Sequence, residues 1–247
     1  MSDERNFEAG WRRRFETWGQ QHASDAAIAG WSESGLAARM ANFERAWSPV
    51  AAPGRWLDAG CGAGTYVRLL AQCGADVVGA DYSLPSLRKA AQRLGHDASL
   101  TASDVRALPF AAGSFDGVLC FGVMQALADP VPALRELCRV VRPGGEVWVD
   151  ALNRYSAPRL LAGAWRRLRG KPAHMRYDSP WQLERSLRQA GAAEVRLDWL
   201  PLVPGRWRRA GRLANHAAVQ AALRRVPPLG ALASHAVVLR GRLPPAC

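Results

Sequence analysis

The run Trp56-Leu-Asp-Ala-Gly-Cys-Gly-Ala-Gly-Thr-Tyr66 constrains this chain more than any other. An apolar stretch ends in an acid, Asp58. Glycines then alternate at 60, 62 and 64, and a helical apolar spacing begins at once. Glycine lets a backbone turn sharply and lets a ligand approach main-chain N–H groups with no Cβ in the way. The spacing is GxGxG. A GxGxxG dinucleotide fingerprint would need glycine at 65 or 67, where Thr65 and Val67 stand.

Further pieces follow in order. Ala75-Asp-Val-Val-Gly-Ala-Asp81 reads as a buried strand ending in an acid about twenty residues after the turn, where a carboxylate can accept both hydroxyls of a ribose. Ser99-Leu-Thr-Ala-Ser-Asp104 repeats the device one strand later. Ala107-Leu-Pro-Phe110, Ser114-Phe-Asp-Gly-Val-Leu-Cys120 and Leu134-Arg-Glu-Leu-Cys-Arg-Val-Val-Arg-Pro-Gly-Gly145 come next, the last running into Glu146-Val-Trp-Val149. This series resembles the type 11 group of class I S-adenosylmethionine (SAM)-dependent methyltransferases, which includes quinone-biosynthesis methyltransferases. The resemblance is close over residues 55–153 and loose elsewhere.

The alternation of strand and helix calls for an α/β fold with a mostly parallel sheet and helices on both faces. Strands are predicted near 55–60, 75–80, 99–103, 115–121, 146–152, 193–200 and 235–242. By the resemblance this is the Rossmann-like seven-stranded class I methyltransferase fold. A helix is expected from Asp129-Pro130 to Pro143-Gly144, and another from Ser179-Pro180 to Gly191, with Leu183, Leu187 and Ala190 as its buried stripe. Residues 1–50 read as a helical N-terminal cap, with Phe7, Trp11, Phe15 and Trp18 at helical spacing, a loop around Trp31, and a helix from Leu36 to Trp47. Residues 51–247 read as the SAM-binding domain, interrupted by insertions at 154–178 and 201–231. The resemblance implies that the cap and insertions cover the site and select the substrate. For Trp11, Trp18 and Trp47, ordinary packing is the favoured role. Over 156–170, Leu160, Leu161, Ala164, Trp165 and Leu168 share one helical face opposite Arg159, Arg166, Arg167 and Arg169, as a lid helix or an interfacial helix would.

Charge is unevenly placed. Residues 1–153 hold 15 Lys and Arg against 17 Asp and Glu, a net of −2; residues 154–247 hold 18 against 4, a net of +14. Such asymmetry points to an acidic partner: a phosphorylated substrate, an anionic membrane surface or nucleic acid. Arginine-rich compositional bias is the plain alternative. The five cysteines show no CxxC pair and no metal-ligand clustering, so a reduced, cytosolic chain without a metal site is expected. No apolar run follows Met-Ser-Asp-Glu-Arg, and no stretch approaches the ~18 apolar residues of a membrane span. A cytoplasmic location is expected, with peripheral contact at the inner membrane face as its variant.

The resemblance implies roles for particular residues. Gly60, Gly62 and Gly64 would bring the chain against the methionyl and ribose portions of SAM, and Asp58 would orient the turn and reach the amino group. Asp81 would take the ribose diol, Tyr82 would pack on adenine, Asp104 would accept the adenine amino group, and Val105 would supply a main-chain donor. Phe121 and Gly122 would line the channel near the tail and the methyl group. Many relatives carry a histidine after the fourth strand. This chain reads Phe121-Gly-Val-Met-Gln-Ala-Leu127, and Gln125 can hydrogen-bond an acceptor without taking its proton. His22, His174, Tyr155 and Tyr177 are candidates for a general base, which stays unassigned. Trp31, Gln125, Tyr155 and Trp165 are candidates for substrate contact. The expected activity is methyl transfer from SAM to a small-molecule or lipid-like acceptor by in-line displacement. An RNA methyltransferase using the basic C-terminal part is the alternative, against which stands the lack of an RNA-recognition motif. A non-catalytic SAM-binding protein is the other.

Overall fold

The computed structural model describes residues 2–47, 54–95, 98–161, 175–201, 213–214 and 216–246. Three helices come first: α1 (Ser2–Gln21), α2 (Asp25–Ile28) and α3 (Glu33–Ala46). Strands and helices then alternate through β1 (Arg55–Ala59), α4 (Thr65–Gln72), β2 (Asp76–Asp81), α5 (Leu84–Leu94), β3 (Ser99–Ala102), β4 (Phe115–Cys120), α6 (Val131–Val140) and β5 (Val141–Leu152). The chain finishes with α7 (Pro180–Gln189), β6 (Glu194–Pro201), α8 (Ala217–Arg225), α9 (Pro227–Ala233) and β7 (Ser234–Arg242). Ser24, Ser32, Ser83 and Ser179 each cap the helix that follows, the side-chain oxygen accepting a backbone N–H of its first turn.

The strands make one sheet in the order β3-β2-β1-β4-β5-β7-β6. Neighbours are parallel except β7, which runs antiparallel to both β5 and β6. Side chains alternate across it with period two, as a sheet buried on both faces demands. Leu57, Val118, Val147 and Val149 point to the face covered by α6 and α7. Trp56, Leu119 and Trp148 point to the other face, where Phe43 of α3 and Leu70 of α4 meet them. That alternation puts Asp58 and Asp150 on the α3 side.

β5 starts five residues before its expected onset. Val141 already pairs with Phe115, and the register shifts before Gly117 meets Glu146, so Pro143 to Gly145 form an irregularity inside the strand and not a helix end. The helix α6 therefore stops at Val140, while Asp129 Oδ1 accepts the Val131 N–H at 3.0 Å at its start. Of the expected helix over 156–170, the described part is helical at 157–161. Among the described residues no helix is long and apolar enough to cross a membrane.

Because β1 pairs with β2 on one side and β4 on the other, the direction of sheet growth reverses there. Crevices form outside the carboxyl ends of strands at such a switch point.

Candidate active site

A cavity enclosing about 1080 Å³ of empty space, its open mouth included, lies at that point. Its floor is Ala59 to Ala63 after β1, Asp81 and Tyr82 after β2, Ser103 to Arg106 after β3 and Phe121 to Val123 after β4. Its roof comes from the N-terminal helices: Trp11, Arg12 and Phe15 of α1, Ile28 and Ala29 of α2, and Trp31 and Leu36 at the start of α3.

The turn after β1 is held open by Asp81. Its Oδ2 accepts the Gly62 N–H at 2.8 Å and its Oδ1 accepts the Ser83 N–H at 2.7 Å, so this carboxylate on the cavity wall keeps acceptor capacity to spare. Gly60, Gly62 and Gly64 all have positive φ. A Cβ on Gly62 would meet nothing within 4 Å, so the open space beside that backbone is cavity. Gly64 does other work. It is absent from the cavity wall, and a Cβ there would meet Leu94 of α5 at 2.8 Å, so it serves the packing of α4 on α5.

Asp58 lies behind the wall, 2% exposed, with Oδ2 unpartnered. Burial foremost, and the nearby charge of Asp81 next, push its carboxyl up to about 8, against a smaller opposing effect of the Val67 N–H. Burial likewise raises Asp81, offset in part by the N–H groups of Ser83, Gly62 and Tyr82.

At the far end, Asp104 is a strut. Its Oδ1 accepts from the Arg106 backbone N–H and Nε, both at 3.0 Å, and its Oδ2 accepts from Arg12 Nη2 at 2.6 Å and Arg106 Nη2 at 2.8 Å. These bonds hold its carboxyl below the usual range. Arg106 also reaches Glu8 at 2.7 Å, which accepts the Ala128 N–H. With its lone pairs taken by guanidinium and backbone N–H groups, Asp104 ties α1 to the loop after β3. The Ser103 hydroxyl and the Val105 backbone are the groups left for a ligand there; Ser103 Oγ is buried and unpartnered. Tyr82 meets Phe15 edge-on at 6.4 Å under the Arg12 guanidinium.

Reasoning from sequence missed one pair altogether. Arg39 of α3, 1% exposed, donates from Nε to Asp150 Oδ2 at 2.6 Å, and the other Asp150 oxygen accepts the Gly122 N–H at 2.6 Å. The Arg39 guanidinium lies 4.3 Å from the centre of the Trp31 ring, and its Nη2 has no partner. Trp31 in turn covers Gly122, where a Cβ would come within 2.7 Å of the indole. Trp31 Nε1 and the Tyr66 hydroxyl, both on the cavity wall, are also buried without partners.

Other expectations meet different surroundings. Trp11 both packs and lines the cavity, whereas Trp18 packs on Gly30 and Trp47 stacks on Phe43. Gln125 sits in a 3₁₀ turn that folds it inward to 3% exposure, off the cavity wall. Tyr155 packs with Trp181 at 5.2 Å, Tyr177 lies under the Arg159 guanidinium, and His22 sits beside Trp18, all away from the cavity. Trp165 and His174 lie outside the described residues. None of the described residues of the two insertions lines the cavity; the N-terminal helices provide its roof.

Residues 57–149 match the family described as methyltransferase domain, type 11. The chain is 36% identical over 149 residues to a Bordetella avium protein named ubiquinone biosynthesis O-methyltransferase, covering 56% of this chain and 61% of that one. It is 32% identical over 160 residues to the Ralstonia nicotianae protein of the same name, covering 61% and 67%. Among solved structures, a chain of the complex between the Haloferax volcanii Trm112 methyltransferase activator and the putative methyltransferase superposes with a TM-score of 0.62. It is 19% identical, with 93% of this chain and 97% of that one covered. The fold and its switch-point cavity are those of the class I SAM-dependent methyltransferase fold. Within that class, the chain belongs to the type 11 methyltransferase-domain family, whose methyl donor is SAM. It spans about three fifths to two thirds of the length of these relatives.

The residues present fit that donor. An uncrowded backbone at Gly62, free lone pairs on Asp81, an unpartnered Ser103 hydroxyl and an aromatic roof suit a ribose and a base. The buried, unpartnered Asp58 oxygen suits a cation, and the free Arg39 nitrogen suits a carboxylate.

Proposed function

We propose that this chain moves a methyl group from SAM to a small-molecule or lipid-like acceptor. The observation that carries it is the glycine turn locked by Asp81 beneath a roof of aromatic side chains, at the switch point of the sheet. Asp81 would accept the ribose hydroxyls with its remaining lone pairs, and Gly60 and Gly62 would let the ligand approach the main chain. Tyr82, Trp11 and Phe15 would enclose the base, hydrogen-bonded at Ser103 and Val105. Asp58 and Arg39 would take the ammonium and carboxylate of the amino-acid tail. Bound SAM supplies an electrophilic methyl group whose leaving group becomes a neutral thioether.

The chain's own part is alignment and dryness, which supply much of the acceleration in a displacement that disperses charge. Trp31, Phe121 and Gly122 would line the methyl end and exclude water. Burial holds the Tyr66 phenol well above its ordinary value, so its hydroxyl is a donor to a ligand oxygen and not a base. An acceptor that arrives already acidic, such as a phenol or an enol, suits a wall without a histidine. The quinone-related names of the relatives support that acceptor class.

Calorimetry with SAM is the test, followed by transfer of labelled methyl from SAM into lipid and small-molecule extracts. Micromolar binding that falls at least tenfold in Asp81→Ala is expected. Absence of binding, or unchanged binding in that variant, overturns the assignment.

A further inference from the structure

We propose that the outer face of α9 (Pro227–Ala233), with Arg225 and Val226 just before it, is a docking surface for an anionic lipid bilayer. Val226-Pro-Pro-Leu-Gly-Ala-Leu-Ala233 contains no polar side chain. Its inner side is already satisfied: Gly230 and Ala231 are buried, and a Cβ at Gly230 would come within 2.4 Å of the Trp199 ring. The outer side faces water. Val226 is 51% exposed, Leu229 55% and Leu232 48%. Single exposed leucines are ordinary, but an apolar ridge with its inner face already packed marks an interaction surface.

Charge selects the partner. Residues 216–233 carry two arginines, Arg224 and Arg225, and no acid. Arg224 is spent on Asp198, while Arg225, at the foot of the ridge, is exposed and forms no ion pair among the described residues. A second copy of the chain would bring like charge against like charge. Anionic headgroups over an acyl layer offer the complement to both halves, as for interfacial helices generally.

Position gives the contact a purpose. The start of β7 pairs with the end of β5, Ala236 opposite Leu152, and β6 ends beside it. The ridge of α9 thus stands at the same end of the strands as the cavity, toward the β6 side of the sheet. An apolar acceptor partitioned in the bilayer would reach the site from that end. This purpose rests on the lipid-like acceptor proposed above, whereas docking is measured with no methyl transfer at all.

Flotation of the whole chain with phosphatidylcholine vesicles, with and without phosphatidylglycerol, tests it. Binding is expected only to the anionic vesicles, fading at high salt. At about fivefold per unit charge, Arg225→Glu should weaken it roughly 25-fold. Joint Leu229→Asp and Leu232→Asp should weaken it at least tenfold, with an unchanged melting temperature and unchanged SAM affinity by calorimetry. Wild-type chain that never floats, or ridge variants that float like wild type, overturns the proposal. So does a wild-type dimer in sedimentation that the ridge variants dissociate. Failure of docking beside intact SAM binding leaves the methyl-transfer reading standing, and loss of SAM binding beside intact docking does the reverse.

Discussion

Asp58→Asn exchanges the least comfortable carboxyl of the site for an amide of the same shape. In the unfolded chain this group ionises near 3.8; in the fold, burial and Asp81 move it to about 8. A raised carboxyl leaves stability whole below 3.8 and removes it progressively as pH climbs through the folded value. The wild-type penalty is roughly 2 kcal/mol at pH 5 and roughly 5 kcal/mol at pH 8, from about 1.4 kcal/mol per pH decade over which only the unfolded group is ionised. Asparagine carries none of it. Whatever constant cost or gain the amide brings, the stability gap between variant and wild type should widen by about 3–4 kcal/mol from pH 5 to pH 8. At about 2–4 °C per kcal/mol for a chain of this size, that is about 7–14 °C in melting temperature. Scanning calorimetry of both proteins across that pH range reads it directly. Saturating SAM should flatten the wild-type slope, because a cation beside Asp58 favours its ionised form, and should leave the variant's slope unaltered. Melting temperatures that run parallel from pH 5 to pH 8 would refute the reasoning.

Three other outcomes follow from the same geometry. Asp150→Asn leaves the buried Arg39 charge uncompensated and should cost about 3–5 kcal/mol in denaturant unfolding. Adding Arg39→Met should recover much of that loss while SAM affinity stays depressed; recovery of both would count against the tail role of Arg39. Gly62→Ala places a methyl group in open cavity, so SAM affinity should drop at least tenfold for about 1 kcal/mol of stability, as calorimetry and melting would show. Gly64→Ala should invert that ratio, with the larger loss in stability, because its Cβ would strike Leu94.

The parts legible from sequence are those whose meaning is local. Each of β1, β2 and β3 is an apolar run closed by a turn and an acid, so Asp58, Asp81 and Asp104 announce their positions unaided. Their partners do not. Arg106, two residues after Asp104, occupies most of that carboxylate, but its last partner is Arg12, 92 residues earlier, which nothing near Asp104 signals. Gly62 and Gly64 look equivalent in the motif; only Leu94, thirty positions on, separates a ligand-facing glycine from a packing one. Arg39 reads as one more arginine on an amphipathic helix. The single available signal was its place on the buried stripe of α3, between Leu36 and Phe43, where a charge must find a counter-ion. The strand expected over 146–152 contains that counter-ion, Asp150, but nothing beside it in sequence ties it to Arg39. The resemblance implies a cover from both the N-terminal cap and the late insertions, and the tryptophan spacing of α1 already describes an apolar face in search of a surface.

The contact between Arg39 and Asp150 spans 111 positions of chain. At roughly 5–20 residues per second, a ribosome needs about 6–20 s to make that interval. Until then the first three helices carry a cation whose counter-ion in β5 has not been made. The roof of the cavity is therefore synthesised before the strand that anchors it and is among the last parts to set. A nascent chain stalled before Asp150 presents that aromatic surface to chaperones.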